Sequence, residues 1–193
     1  MNGPGASIRA ARAVRWDAST AVDRSVPFHD AFVELFTNGF GRLFRYLDRL
    51  SGDAELAQDL AQEAYVRLYR RQSLPDAPEA WLISVGMNLL RNNYSIEKRR
   101  RELMSVARAD RSHSDPDRSP DQAAASEAIR VAVRQVLDRM PERERQLLLL
   151  SAEGYGYRDI ALALDLKEVS VGTLLARARQ AFRELYRSVS DDG

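Results

Sequence analysis

Apolar residues recur along this chain at helical spacing. From Asp30 to about Arg49, Phe32, Leu35, Phe36, Phe40, Leu43, Phe44 and Leu47 are three or four residues apart, which predicts a helix with one apolar stripe, locally weakened by Gly39 and Gly41. A turn at Ser51-Gly52 follows, then an N-cap in Asp53 and a second helix with Leu56, Leu60, Ala64 and Leu68 on one face. The proline-punctuated "QSLPDAPEA" is a loop, and "EAWLISVGMNLLRNNYSIEKRRREL" restarts a helix that ends strongly basic. Farther on, Ile129, Val133, Val136, Leu137 and Met140 mark another helix, Pro141 suits the first turn of the next, and "YRDIALALDL" and "VSVGTLLARARQAF" supply two more. No strand-like alternation is sustained, so the expected fold class is all-α.

The pattern divides the chain. Residues 1–28 are rich in Gly, Ala, Ser and Arg without periodicity and read as a disordered arm; 29–102 form a first helical domain. Residues 103–124, with "RADRSHSDPDRSPDQ" at their centre, read as a flexible linker. Residues 125–189 form a second domain of four helices.

Composition narrows the chemistry. The chain has 193 residues, 45% hydrophobic and 30% charged, enough for two small domains. It has no cysteine, which excludes disulfides, thiolate catalysis and cysteine-held metals. His29 and His113 have no metal-ligand spacing, no glycine loop for phosphates or nucleophile-base pairing is present, and no cofactor or enzymatic activity is expected. No apolar run is long enough for a membrane span, and the N-terminus lacks the apolar core of a secretory signal, so a cytoplasmic protein without membrane insertion is expected. With 29 basic and 28 acidic residues the net charge of +1 is uninformative, and the distribution of charge has to carry the argument.

That distribution is informative in the second domain. "YRDIALAL" followed by "SVGTLLARAR" has the layout of a helix-turn-helix, with Ile160, Ala161 and Leu164 as the buried edge of the first helix and Ser170 as a cap for the second. On a helical wheel Val171, Leu174, Leu175, Ala178, Ala181, Phe182 and Leu185 share one side, Leu174 toward the core and Leu175 at its margin. The opposite side carries Thr173, Ala176, Arg177, Arg179, Gln180 and Arg183. Arginine can make paired hydrogen bonds to guanine and glutamine to adenine, while flanking arginines suit phosphates. A merely solvated helix face would have the same composition, and the preceding helix favours DNA.

In the first domain, Asn88, Arg91 and Asn92 lead to Lys98 and Arg99 in the basic run "EKRRR". Cations near a helix end suit phosphates, and amides with aromatics suit unpaired bases. Trp81, on the same helix, reads equally well as core. The second helix is the opposite in character: Glu55, Gln58, Asp59, Gln62 and Glu63 give an acidic and amide face that fits a protein partner better than a phosphate backbone.

Together "DAELAQDLAQEAYVRLYRR", "AWLISVGMNLLRNNY" and "LDRMPERERQLLLLSAEGYGYRDIALALDL" with "SVGTLLARAR" resemble the extracytoplasmic-function sigma factors of bacterial RNA polymerase. The resemblance runs from about Ala31 to Arg187, the linker excepted. It implies sigma region 2 followed by region 4, and as partners the polymerase core, promoter DNA and an anti-sigma factor. By resemblance, Gln58, Asp59, Gln62 and Glu63 bind the polymerase clamp. The loop from Ser73 to Glu79 with Asn88, Arg91, Asn92, Lys98 and Arg99 captures the melted minus-10 strand. Arg158 abuts phosphates at the minus-35 element, which Thr173, Ala176, Arg177, Arg179, Gln180 and Arg183 read.

Three departures from the family pattern stand out. Asp165 occupies a usual glycine position and "DLKEVS" looks about three residues longer than the common connection; Leu175 stands where a cation is frequent; and Asn92 stands where an aspartate often follows. Two other functions fit the residues without the resemblance: an autonomous helix-turn-helix regulator, and a helical adaptor that engages only proteins.

Overall fold

The computed structural model describes residues 28–104 and 120–191, and every regular element in them is a helix. The expected N-terminal arm and most of the expected linker lie outside the described residues. α1 spans Phe28–Ser51, α2 Ala54–Arg71, α3 Pro78–Met104, α4 Pro120–Arg139, α5 Glu142–Ala152, α6 Tyr157–Leu164 and α7 Glu168–Asp191. α3 and α4 therefore extend helix into both ends of the segment read from sequence as a linker. Pro120 is tolerated because the first helical position has no backbone N–H to satisfy, and the alanines after it favour helix.

α1, α2 and α3 pack together. α1 is uninterrupted through Gly39 and Gly41, contrary to the expected weakening, and Gly39 is a packing position. A Cβ there would stand 2.5 Å from the Tyr65 hydroxyl of α2, so a larger residue would displace the Tyr65 side chain. α1 closes at Gly52, whose φ of 72° lies in the left-handed region and whose N–H donates to the Asp48 carbonyl at 2.7 Å. Asp53 then caps α2 as its sequence indicates, accepting a hydrogen bond from the Leu56 N–H at 3.0 Å. Leu43, Leu47, Leu60, Ala64, Leu68, Ile83 and Met87 are buried between the three helices, and Trp81 packs half-buried against them as core.

The second half has α6 and α7 as a helix-turn-helix, backed by α4 and α5. Val136, Leu137 and Met140 are buried, as their spacing predicts. Ile129, by contrast, is 56% exposed: it lies midway along α4, ahead of the turns whose side chains are buried. Pro141 sits just before α5 rather than inside it.

The two halves are not separate in space. Their buried residues form one continuous hydrophobic cluster, with α6 packed along α3 and α5 against α1. No described helix is long and apolar enough to cross a membrane.

Candidate nucleic-acid and polymerase interfaces

The helix-turn-helix is tighter than its sequence suggests. α7 begins at Glu168, so the connection is Asp165, Leu166 and Lys167, and Ser170 lies inside the first turn rather than at the cap. The expected extra length in "DLKEVS" is therefore absent, because half of that string is already helix. Asp165 does the work of a glycine: its φ of 52° is left-handed, a conformation that aspartate tolerates better than most side chains. The N–H of Leu166 returns to the Ala161 carbonyl at 2.8 Å and closes the end of α6.

Starting α7 three residues earlier leaves the wheel unchanged but shows which side chains go deepest. Val171, Leu175 and Ala178 are the buried line, with Leu175 only 1% exposed, while Leu174 is half-buried beside it. The sequence reading had the two leucines reversed. Leu175 follows Val171 by four residues and precedes Ala178 by three, so it lies in the buried line of α7. It therefore holds no phosphate-facing position.

The opposite face matches expectation. Thr173, Ala176, Arg177, Arg179, Gln180 and Arg183 are all exposed, as is Arg158 in the first turn of α6. They are not equivalent, however. Arg179 stands on the flank of the helix, where its guanidinium donates to the Ser151 hydroxyl of α5 at 3.3 Å. Gln180 donates to Glu184 at 2.6 Å and accepts from Arg183 at 2.9 Å. Sequence reasoning missed Glu184, which lies one turn beyond Gln180 on the same face and reduces the positive character of its far end. Arg177 is exposed beside Thr173 and Ala176. Next to Arg158, burial raises the Asp159 carboxyl above its ordinary range, Arg158 and Arg42 oppose that shift and Glu168 adds to it.

On α3, Asn88, Arg91, Asn92, Lys98 and Arg99 are exposed. They repeat at intervals that bring them onto one side of the helix over three turns. Arg91 donates to the Asn88 side-chain oxygen at 2.9 Å, which fixes both at the start of this face. Tyr94, 44% exposed, lies between them and donates to the Ser51 carbonyl at 3.4 Å. The loop before α3 is shorter than the sequence suggests: Pro78 and Glu79 belong to the helix, and Glu79 is paired with Arg42 at 3.0 Å.

On α2, Gln58, Asp59 and Gln62 are exposed, whereas Glu63 is half-buried and held by Arg67 at 2.7 Å. Val66, one turn on from Gln62, is 40% exposed, and beyond it Tyr69 and Phe36 stay partly open. Phe36 belongs to an aromatic cluster whose ring centroids lie 5.0 Å from Phe40 and 5.1 Å from Tyr65. The helical stripe in the sequence placed Phe36 with the core. It lies at the edge, because the stripe on α1 is wider than α2 can cover.

One chain thus combines a helix-turn-helix with an exposed arginine and glutamine face, a second helix with an amide and cation face, and an acidic face on a third. The families that match are described as Sigma-70 region 2, over residues 35–102, and Sigma-70, region 4, over 130–182. The chain is 35% identical over 150 residues to the ECF RNA polymerase sigma factor EcfG of Rhodopseudomonas palustris, covering 75% of this chain and 77% of that one. It belongs to the extracytoplasmic-function sigma factors.

The RNA polymerase sigma-H factor of Pseudomonas aeruginosa is another relative of this sigma factor, 31% identical over 143 residues, covering 69% of this chain and 74% of the relative. In fold it is similar to the sigma factor RpoE of Bartonella quintana, solved in complex with the anti-sigma factor NepR. That match has a TM-score of 0.60 at 18% identity and covers 82% of this chain and 98% of that one. As a member of the family, this sigma factor directs RNA polymerase to promoters.

Proposed function

We propose that this sigma factor divides promoter recognition between two modules, 29–102 and 125–189, joined through 103–124. The observation that carries the proposal is the exposed face of α7, which offers arginine and glutamine to base edges while its leucines pack inward. Arg177 and Gln180 read the minus-35 duplex with Thr173 and Ala176 beside them, and Arg158, Arg179 and Arg183 hold flanking phosphates. Asn88, Arg91 and Asn92 receive unpaired bases of the minus-10 strand, and Lys98 and Arg99 attract its backbone. Gln58, Asp59, Gln62 and Glu63 dock on the polymerase.

The mechanism is an exchange of contacts. Bases leaving the duplex lose stacking, at about a few kcal/mol per flipped base, and recover it on α3 and the loop before it. Two weak readers tethered through one chain and one polymerase raise each other's effective concentration, so neither module needs high affinity alone. The sigma factor supplies position and the polymerase supplies the chemistry, in the cytoplasm where the polymerase works. An anti-sigma factor is a further partner, by similarity to the relative solved with NepR.

If Arg177 reads a base, Arg177→Ala lowers discrimination at one minus-35 position by about 1 to 3 kcal/mol. Transcription from promoters varied singly at each minus-35 position measures this. A flat loss at every position would make Arg177 a phosphate contact, and no loss would remove it from the interface.

A further inference from the structure

One apolar side chain of the helix-turn-helix is left almost wholly in water. Val169 is 89% exposed, more than any other large hydrophobic residue among the described ones. Because α7 begins at Glu168, Val169 belongs to the first turn of the helix and stands at its leading end. A β-branched side chain is a poor helix former at an exposed position, so local stability does not account for it. A lone exposed valine would need no account on a protein surface. This one is not alone.

Thr173 follows Val169 by four residues and Ala176 follows Thr173 by three, so the three lie along one line of α7. All three are exposed, and the line runs opposite the buried Val171, Leu175 and Ala178. It continues to Gln180, again four residues on, with Arg177 beside it. The exposed face of α7 therefore carries two chemistries in succession. Its first turns offer methyl groups, and the next turns offer an amide and guanidinium groups. From Val169 to Ala176 the axis rises about 10 Å, the height of about three base pairs. The Tyr157 ring, 48% exposed, borders this methyl end, lying against Gly172 where an added Cβ would meet it at 3.5 Å.

In the major groove the base pairs differ in one apolar feature, the C5-methyl group of thymine, which cytosine lacks. An aliphatic side chain has no hydrogen bond to offer any base edge. Its gain on docking is the removal of its own apolar surface and that of the methyl group from water, a gain that thymine provides. Over a G·C pair the same side chain covers polar groups without pairing them, which costs affinity. Arg177 and Gln180 cannot make this distinction, because they recognise nitrogen and oxygen positions.

We infer that Val169 is a specificity-determining residue of this sigma factor: with the methyl groups of Thr173 and Ala176 it reads thymine methyl groups at one end of the minus-35 element. The inference rests on the reading of minus-35 duplex by α7 and adds the base that the first turns of that helix select.

Deoxyuridine keeps every hydrogen-bonding group of thymidine and loses only the methyl, which isolates the contact. Holoenzyme assembled from the full-length chain and core is titrated with promoter fragments in which each thymine of the minus-35 element, on either strand, is replaced singly by uracil. At one end of the element the replacement should lower affinity about fourfold per methyl lost, the change that ~0.8 kcal/mol produces. Val169→Ser removes both valine methyls from an exposed site, so its unfolding temperature should stay at the wild-type value, and it should bind the thymine and uracil forms of that position equally. Val169→Ile keeps the apolar surface and should keep the uracil penalty. A parallel set of fragments with single base-pair changes reports whether the element is read at all. A preferred minus-35 element without thymine would overturn the role of Val169. So would a uracil penalty absent at every position where base-pair changes still weaken binding, or one that persists undiminished in folded Val169→Ser. Indifference to every base-pair change would instead overturn the reading by α7, and the inference with it.

Discussion

Leu175→Arg is expected to unfold the second half of this sigma factor rather than improve its grip on DNA. Leu175 is 1% exposed between Val171 and Ala178, in the buried line of α7. An arginine there either carries its charge into an apolar site with no carboxylate arranged to meet it or forces α7 away from its support. The expected loss is about 4 kcal/mol or more, against a total stability of about 5 to 15 kcal/mol for a domain. Leu175→Ala removes the same packing without the charge and should cost about 2 to 5 kcal/mol. Denaturant unfolding measures both, alongside minus-35 duplex binding as a function of salt. Unchanged stability together with tighter, more salt-dependent binding of Leu175→Arg would put residue 175 back at the DNA surface.

Asp59→Arg has the second largest expected effect, and it is the opposite kind of change. Asp59 is exposed on α2, with no ion pair among the described contacts, so the fold should be indifferent to it. If this face docks on a complementary basic surface of the polymerase, arginine replaces an attraction with a like-charge contact worth several kcal/mol. Affinity for core should fall about 30-fold or more, while the unfolding temperature stays where it was. Titration of labelled core with wild type and variant measures the difference. Equal affinity of a folded variant would move the docking surface elsewhere, and the partly exposed Phe36, Val66 and Tyr69 beyond it would be the next place to look.

These two residues illustrate what the sequence discloses. Every helix was legible because each combines apolar periodicity with a local signal, such as Asp53 before α2 or the proline-rich loop before α3. The exposed faces were legible too, since a wheel separates Arg177 and Gln180 from Val171 and Ala178 whatever the exact start of the helix. Depth within the buried side was not. Leu174 and Leu175 lie at similar angles from the centre of the apolar arc, and only the placement of α5 and α6 decides which is enclosed. Turn length failed for a related reason: in "DLKEVS" nothing local marks Glu168 as helical, and the left-handed Asp165 that makes the short turn possible is a backbone property.

Contacts between distant elements were the least legible. Glu153 looks like an ordinary residue at a helix end, and Arg42, Arg45 and Arg49 look like the solvated side of α1. Their pairing depends on the left-handed Gly154 and on how α5 meets α1, across more than 100 residues of chain. The same is true of Glu79, which lies in the loop expected to capture DNA and is instead the first-turn partner of Arg42.

Reconstitution on many promoters at once tests promoter direction most directly. Purified full-length protein is added to polymerase core, and start sites are mapped across a library randomised around minus-10 and minus-35. The expected result is transcription that depends on the added chain and selects two separated sequence elements, with Arg177→Ala relaxing one position of the upstream element alone. Transcription that is unchanged by the chain, or that shows no preference at either element, would contradict a promoter-directing role.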